Sequence, residues 1–145
     1  MRQTVTAILI STENEFILQL RDDKPGIASP GKVANFGGNI EPGETPVDTM
    51  VREVYEELNI KLNKEDFQSL GYIIKKDEST GGENMAHLFL AKNINKSDLV
   101  LNEGQAIVYI NIDEPLNETM NLSVGTKLVL DDFKNKKLEP LDFNV

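Results

Sequence analysis

The sequence predicts an α+β protein, an α/β/α sandwich built on a central mixed β-sheet. Strand-like apolar runs stand before, between and after two helical patterns, and those patterns do not alternate regularly with strands as a doubly wound fold requires. The chain has 145 residues, the length of one ordinary domain able to bury its own core, so residues 1–145 are expected to fold as a unit.

Residues 3–10 and 15–21 are rich in Val, Ile, Leu and Phe and flank Ser11-Thr12-Glu13-Asn14, the pattern of a β-hairpin. In MRQTVTAILIST, Thr4 and Thr6 alternate with Val5 and Ala7 and no small-residue cleavage site follows. A strand fits that stretch better than a signal peptide. From Arg21 to Gly38, Pro25, Gly26, Pro30, Gly31 and Gly37 punctuate too often for a long element, leaving a loop or a short strand between loops. Residues 67–75 and 85–92 predict two strands joined by the polar, Gly-rich stretch from Lys76 to Asn84, and residues 105–112 predict another. Residues 123–134 carry Val124, Leu128 and Val129 at helical spacing behind Ser123 as a cap, with Gly125 weakening the pattern.

The best-marked element is the helix after Thr45. Thr45 is an N-cap, Pro46 suits the first helical position, and Asp48 stands where a capping-box acid belongs. Val47, Met50, Val51, Val54 and Leu58 form an apolar stripe that must face a core. At ~100° per residue, Glu53, Glu56 and Glu57 share about a quarter turn on the opposite flank, beside Arg52. Each like-charge pair at such spacing costs roughly 0.2–0.5 kcal/mol. That cost is small enough for the cluster to be an ordinary solvated face of an acidic protein, and a divalent cation would offset it.

Composition narrows the chemistry. With no cysteine, disulfides, thiolate metal sites and a cysteine nucleophile are excluded, and a cytoplasmic setting is expected. A net charge of −9 disfavours a nucleic-acid groove, and no apolar run is long enough to span a membrane. A phosphate ligand would therefore need a cation. Oxygen-only ligands and a single histidine point to Mg²⁺ or Mn²⁺ rather than zinc. Gly37 and Gly38 let backbone approach a ligand, offering carbonyls to a metal and N–H groups to phosphate oxygens. Phe36, Tyr72 and Phe89 have rings that could stack a nucleobase, although core packing is the commoner use of each.

Gly38, five residues, Glu44, seven residues and then Arg52-Glu53-Val54-Tyr55-Glu56-Glu57-Leu58-Asn59-Ile60 resemble the Nudix box, GX5EX7REUXEEXGU with U a bulky aliphatic. One defined position departs: Asn59 stands where the family has glycine. Asparagine is the next residue most tolerant of the left-handed backbone that closes a helix. The flanks LQLRDDKPG, GKVANFGG and LNEGQ are similar to those of Nudix hydrolases, with Phe36 where many members carry proline.

The resemblance implies a Nudix-like fold and a Mg²⁺- or Mn²⁺-dependent hydrolase that cleaves a diphosphate linkage in a nucleoside diphosphate derivative. Glu56 and Glu57 would be metal ligands with the Gly38 carbonyl, and Glu53 a further ligand or the general base. Arg52 would hold these carboxylates by ion pairing and keep them ionised, while Glu44 braces the loop against the helix. Glu103, in Leu101-Asn102-Glu103-Gly104-Gln105, is the second candidate base. Gly37, Gly38 and Phe36 would line the substrate side. The proline and tyrosine that mark ADP-ribose and dinucleoside-polyphosphate members have no counterpart at their usual places. Nucleoside triphosphates therefore lead, with nucleotide sugars next and a non-catalytic nucleotide-binding module as the rival class. The expected partner is a small nucleotide, bound by a monomer or homodimer.

Overall fold

The computed structural model describes residues 1–76 and 81–138. Residues 77–80, within the stretch expected to link two strands, lie outside the described residues, as do 139–145. The elements are β1 (Arg2–Ser11), β2 (Glu15–Leu20), β3 (Val33–Ala34), β4 (Phe36–Asn39), α1 (Pro46–Leu58), β5 (Gln68–Lys76), β6 (Glu83–Ile94), β7 (Ala106–Asn111) and α2 (Val124–Lys134). Among the described residues, three single-turn 3-10 helices punctuate the connections.

The strands form one mixed sheet. β1 runs parallel to β6 from Arg2↔Asn84 to Ser11↔Ile94, while β5 joins β6 and β7 joins β2 antiparallel. The β1–β2 hairpin is shorter than the sequence predicts, pairing only through Leu9↔Ile17 and Ile10↔Phe16. Beyond that point the two strands part, and the glycine-punctuated segment fills the gap, β3 pairing with β2 and β4 with β1. The register Val5↔Gly38 and Thr6↔Gly37 thus fixes the paired glycines to the middle of the sheet. A β1 strand apolar on both sides is what a sheet covered on both faces demands.

One core cluster joins Val5, Ala7, Leu9, Phe36, Phe89 and Ala91 to Val47, Met50, Val54 and Leu58 of α1. The other, on the opposite face, joins Ile8, Ile10, Phe16, Leu18, Leu88 and Leu90 to Val129 and Leu130 of α2. The result is the α/β/α sandwich that the pattern predicts.

α1 starts as its sequence requires. The Thr45 hydroxyl accepts from the Asp48 N–H at 3.2 Å, and the Asp48 carboxylate accepts from the Thr45 N–H at 3.0 Å. Burying Val47, Met50, Val54 and Leu58 is worth about 1.5–3 kcal/mol each, far more than like-charge repulsion costs, so packing decides where the helix lies. The helix ends at Asn59, in the left-handed region at φ 58°, with its N–H on the Tyr55 carbonyl. Asn59→Ala is expected to lower stability by about 1 kcal/mol and Asn59→Gly to be tolerated, because a Cβ in that conformation costs roughly 1–2 kcal/mol. Urea unfolding of the two variants checks this.

Candidate active site

The site forms where the carboxyl half of α1 passes over β4. An ideal Cβ on Gly38 would lie 2.3 Å from the Glu53 carboxylate, so glycine is what allows that carboxylate to rest on the strand. On Gly37 a Cβ would lie 2.2 Å from the Val5 carbonyl oxygen, so this glycine serves the close passage of β4 against β1. The two adjacent glycines have separate causes.

Arg52 is the hub. Its Nε donates to Glu44 Oε2 at 2.7 Å and its Nη2 to Glu44 Oε1 at 2.9 Å, a bidentate pair. Nη1 donates to Glu53 Oε1 at 2.9 Å and to Glu56 Oε2 at 3.3 Å, and Nη2 also reaches the Asn39 carbonyl. Glu44 additionally accepts from the Glu41 N–H and the Thr49 hydroxyl, which fastens the loop before α1 to its first turns.

Arg52 has unequal effects on two of the carboxyls it pairs with. Arg52 and the other donors hold the Glu44 carboxyl down to about 2. At Glu53, burial pushes the pKa up and outweighs the arginine. Because the folded pKa of Glu44 lies below the ordinary 4.5, its stabilising contribution is complete above that value and is lost as pH falls from 4.5 towards about 2. Glu44→Gln is therefore expected to show a lower melting temperature at neutral pH and a flatter fall across that acid window, read by thermal melts at stepped pH.

Glu57 departs furthest from the sequence reading. It was expected on a flank opposite the apolar stripe, yet it is only 4% exposed. The segment after β6 lies across the end of α1: the Val100 N–H donates to the Leu58 carbonyl, the Asn102 N–H to the Glu57 carbonyl, and Asn102 Nδ2 to the Glu56 carbonyl. Burial pushes the Glu57 carboxyl up to about 9, with the charges of Glu53 and Glu103 adding to the shift. Its Oε2 is buried without a hydrogen-bond partner. Glu56 stays on the outside, with its side chain 51% exposed.

Glu53, Glu57, Glu103 and Gly38 are thus brought together, with Arg52 binding Glu53 and Glu56 from the solvent side. Phe36 is not part of this surface. It is fully buried in the core shared with α1, as is Phe89, so both rings have the core-packing use that the sequence makes the commoner one, and the place given to Phe36 on the substrate side is corrected. Tyr72 is 58% exposed and lies beside His87, whose Nε2 bonds Gln3.

The donor set suits a hard divalent cation. A desolvated carboxylate oxygen with no partner and a strand backbone left open by glycine are the features such an ion would satisfy. Among the described residues no three His, Asp or Glu side chains are already gathered at ligand distance. Arg52 engages the Glu53 and Glu56 oxygens that a cation would share.

Sequence reasoning missed Asn102, which ties the Glu103 loop to α1, and Gln19, whose side chain holds the Glu103 carbonyl at 2.9 Å. A glutamine amid FILQL, an otherwise apolar strand, was the available signal.

The NUDIX domain family matches residues 1–125 of the chain. An uncharacterized Nudix hydrolase from Nostoc sp. is 49% identical over 39 residues, which span 27% of this chain and 23% of that relative. The nucleoside triphosphatase NudI of Escherichia fergusonii is 41% identical over 63 residues, 43% of this chain and 44% of that protein. These matches span less than half the length of either relative. A MutT protein from Methanosarcina mazei superposes with a TM-score of 0.74 at 19% identity, covering 94% of each chain. That structural likeness bears on the fold.

Proposed function

We propose, from the premise that the chain belongs to the NUDIX domain family, that it is a metal-dependent hydrolase cleaving the diphosphate linkage of nucleoside triphosphates. The observation that carries this reading is the buried Glu57 carboxyl, with one oxygen unpartnered, set between Glu53 and Glu103. An ordinary acidic helix face would leave Glu53, Glu56 and Glu57 in water. This chain instead desolvates Glu53 and Glu57, an arrangement costly to stability unless a ligand uses it.

Glu57, Glu53 and the Gly38 carbonyl would hold the cation, with Glu56 joining them when Arg52 releases it. A bound Mg²⁺ or Mn²⁺ supplies Lewis-acid screening of the diphosphate charge. Arg52 fixes Glu53 and Glu56 at the mouth of the site, and the loop over α1 keeps solvent from Glu57. Glu53, which rests on the strand at Gly38, and Glu103, in the loop over α1, would be the two candidates to take a proton from the attacking water. The partial relative named a nucleoside triphosphatase supports that substrate class.

The test is phosphate or pyrophosphate release across nucleoside triphosphates, nucleotide sugars, ADP-ribose and dinucleoside polyphosphates, with Mg²⁺, with Mn²⁺ and with chelator. Hydrolysis of triphosphates that disappears with chelator is expected. A stronger signal on nucleotide sugars would move the substrate class and keep the chemistry. Tight nucleotide binding without turnover of any member would replace the hydrolase by a binding module.

A further inference from the structure

Glu103 lies between β6 and β7 in a loop without regular structure, yet its backbone is fixed from two sides. Towards α1, the Asn102 N–H donates to the Glu57 carbonyl at 2.9 Å and Asn102 Nδ2 to the Glu56 carbonyl at 3.1 Å. Towards β2, Gln19 Nε2 donates to the Glu103 carbonyl at 2.9 Å and the Gln105 N–H to the Leu20 carbonyl at 2.8 Å.

Gln19 is only 3% exposed. A buried primary amide is unfavourable unless both its ends are paired, and here both are: its Oε1 accepts from Arg21 Nη1 at 3.4 Å. Gly104 lets the loop descend onto this amide. Its φ is +91°, and a Cβ there would stand 2.8 Å from Gln19 Cγ and 2.9 Å from the Leu20 carbonyl oxygen. Gln19, Arg21, Asn102, Glu103 and Gly104 all line one cleft of about 380 Å³.

We propose that Gln19 and Asn102 are positioning residues: together they clamp the Glu103 backbone so that its carboxylate stays against Glu57, and Gln19 also registers the Arg21 guanidinium to the same loop across the cleft. The inference rests on the reading of Glu103 as part of the hydrolytic machinery. Asn102 acts from the helix side alone. Gln19 holds both the acidic and the cationic wall, so its loss should disturb KM as well as kcat.

The experiment compares Gln19→Met, which keeps the length but loses both hydrogen bonds, with Asn102→Ala, an exposed position where the fold is under little threat. Each is made in the wild-type and in the Glu103→Gln background. Each variant is expected to lower kcat by about 10- to 100-fold, the scale of an ångström-sized misplacement, with KM raised in Gln19→Met only. In the Glu103→Gln background neither should cost more than about twofold, because both act through Glu103. Hydrogen exchange on the metal-free protein supplies a readout independent of turnover: protection of the Asn102 and Gln105 amides should fall at least about tenfold, while amides of α1 hold.

Unchanged exchange at both amides, or the same kcat loss with and without the Glu103 carboxylate, would overturn the clamp. Inactivity of the wild-type protein across the whole substrate panel would instead strike the hydrolase reading, so the two failures are separable.

Discussion

Glu57→Gln is expected to lower kcat on the order of 10³-fold while leaving the melting temperature of the metal-free protein unchanged or raised. The kinetic loss follows from removing a charge that a cation and a diphosphate transition state both need, in a site where burial magnifies each electrostatic contact. The stability gain follows from the same burial. Glu57 is 4% exposed, its Oε2 has no partner, and its carboxyl is pushed up to about 9. A carboxyl forced to stay protonated is close in shape and charge to an amide, so the replacement opens no cavity and removes the cost of taking up a proton on folding at neutral pH. Opposite movements of activity and stability mark a group kept for function at the expense of the fold. Steady-state kinetics with saturating Mg²⁺ and a thermal melt in chelator test both halves. A variant that melts lower and keeps its turnover would make Glu57 a structural residue.

In α1, what depends on neighbouring residues is legible in the sequence and what depends on distant chain is not. Its cap, its apolar stripe and its left-handed terminus at Asn59 are local: each depends on residues within a turn or two, and each stands in the structure as the pattern predicts. The place of Glu57 is not local. Seven residues after Met50, it lies about 20° from that buried side chain at ~100° per residue, at the border of the stripe rather than across from it. Whether such a border position faces water depends on what lies against it, and the covering chain arrives some forty residues later through Val100 and Asn102. The splayed hairpin has the same cause. Nothing in residues 3–21 says that β3 and β4 will pair between the strands, because that pairing is a property of the sheet. Phe36 could be read as a stacking ring only while its side of the strand was unknown. Register opposite Ala7 sends it into the α1 core.

The paired glycines permit a sharper separation of fold from function. Gly38→Ala is expected to lower kcat on the order of 10²-fold with little loss of stability, and Gly37→Ala to do the reverse. The obstacle differs in kind. At Gly38 an added methyl would meet the Glu53 carboxylate at 2.3 Å, the far end of a flexible side chain that can swing aside. The helix keeps its packing when it does so, but Glu53 leaves the position that Arg52 and the strand define, and an ångström-sized displacement of a reacting group is worth about 10²-fold. At Gly37 the methyl would meet the Val5 carbonyl oxygen at 2.2 Å, backbone that cannot yield without parting β4 from β1. Overpacking of that kind costs roughly 1–3 kcal/mol or more. Kinetics and urea unfolding on both variants decide the matter. A Gly38→Ala protein as active as the wild type would mean that Glu53 need not rest on the strand, leaving Glu103 as the base.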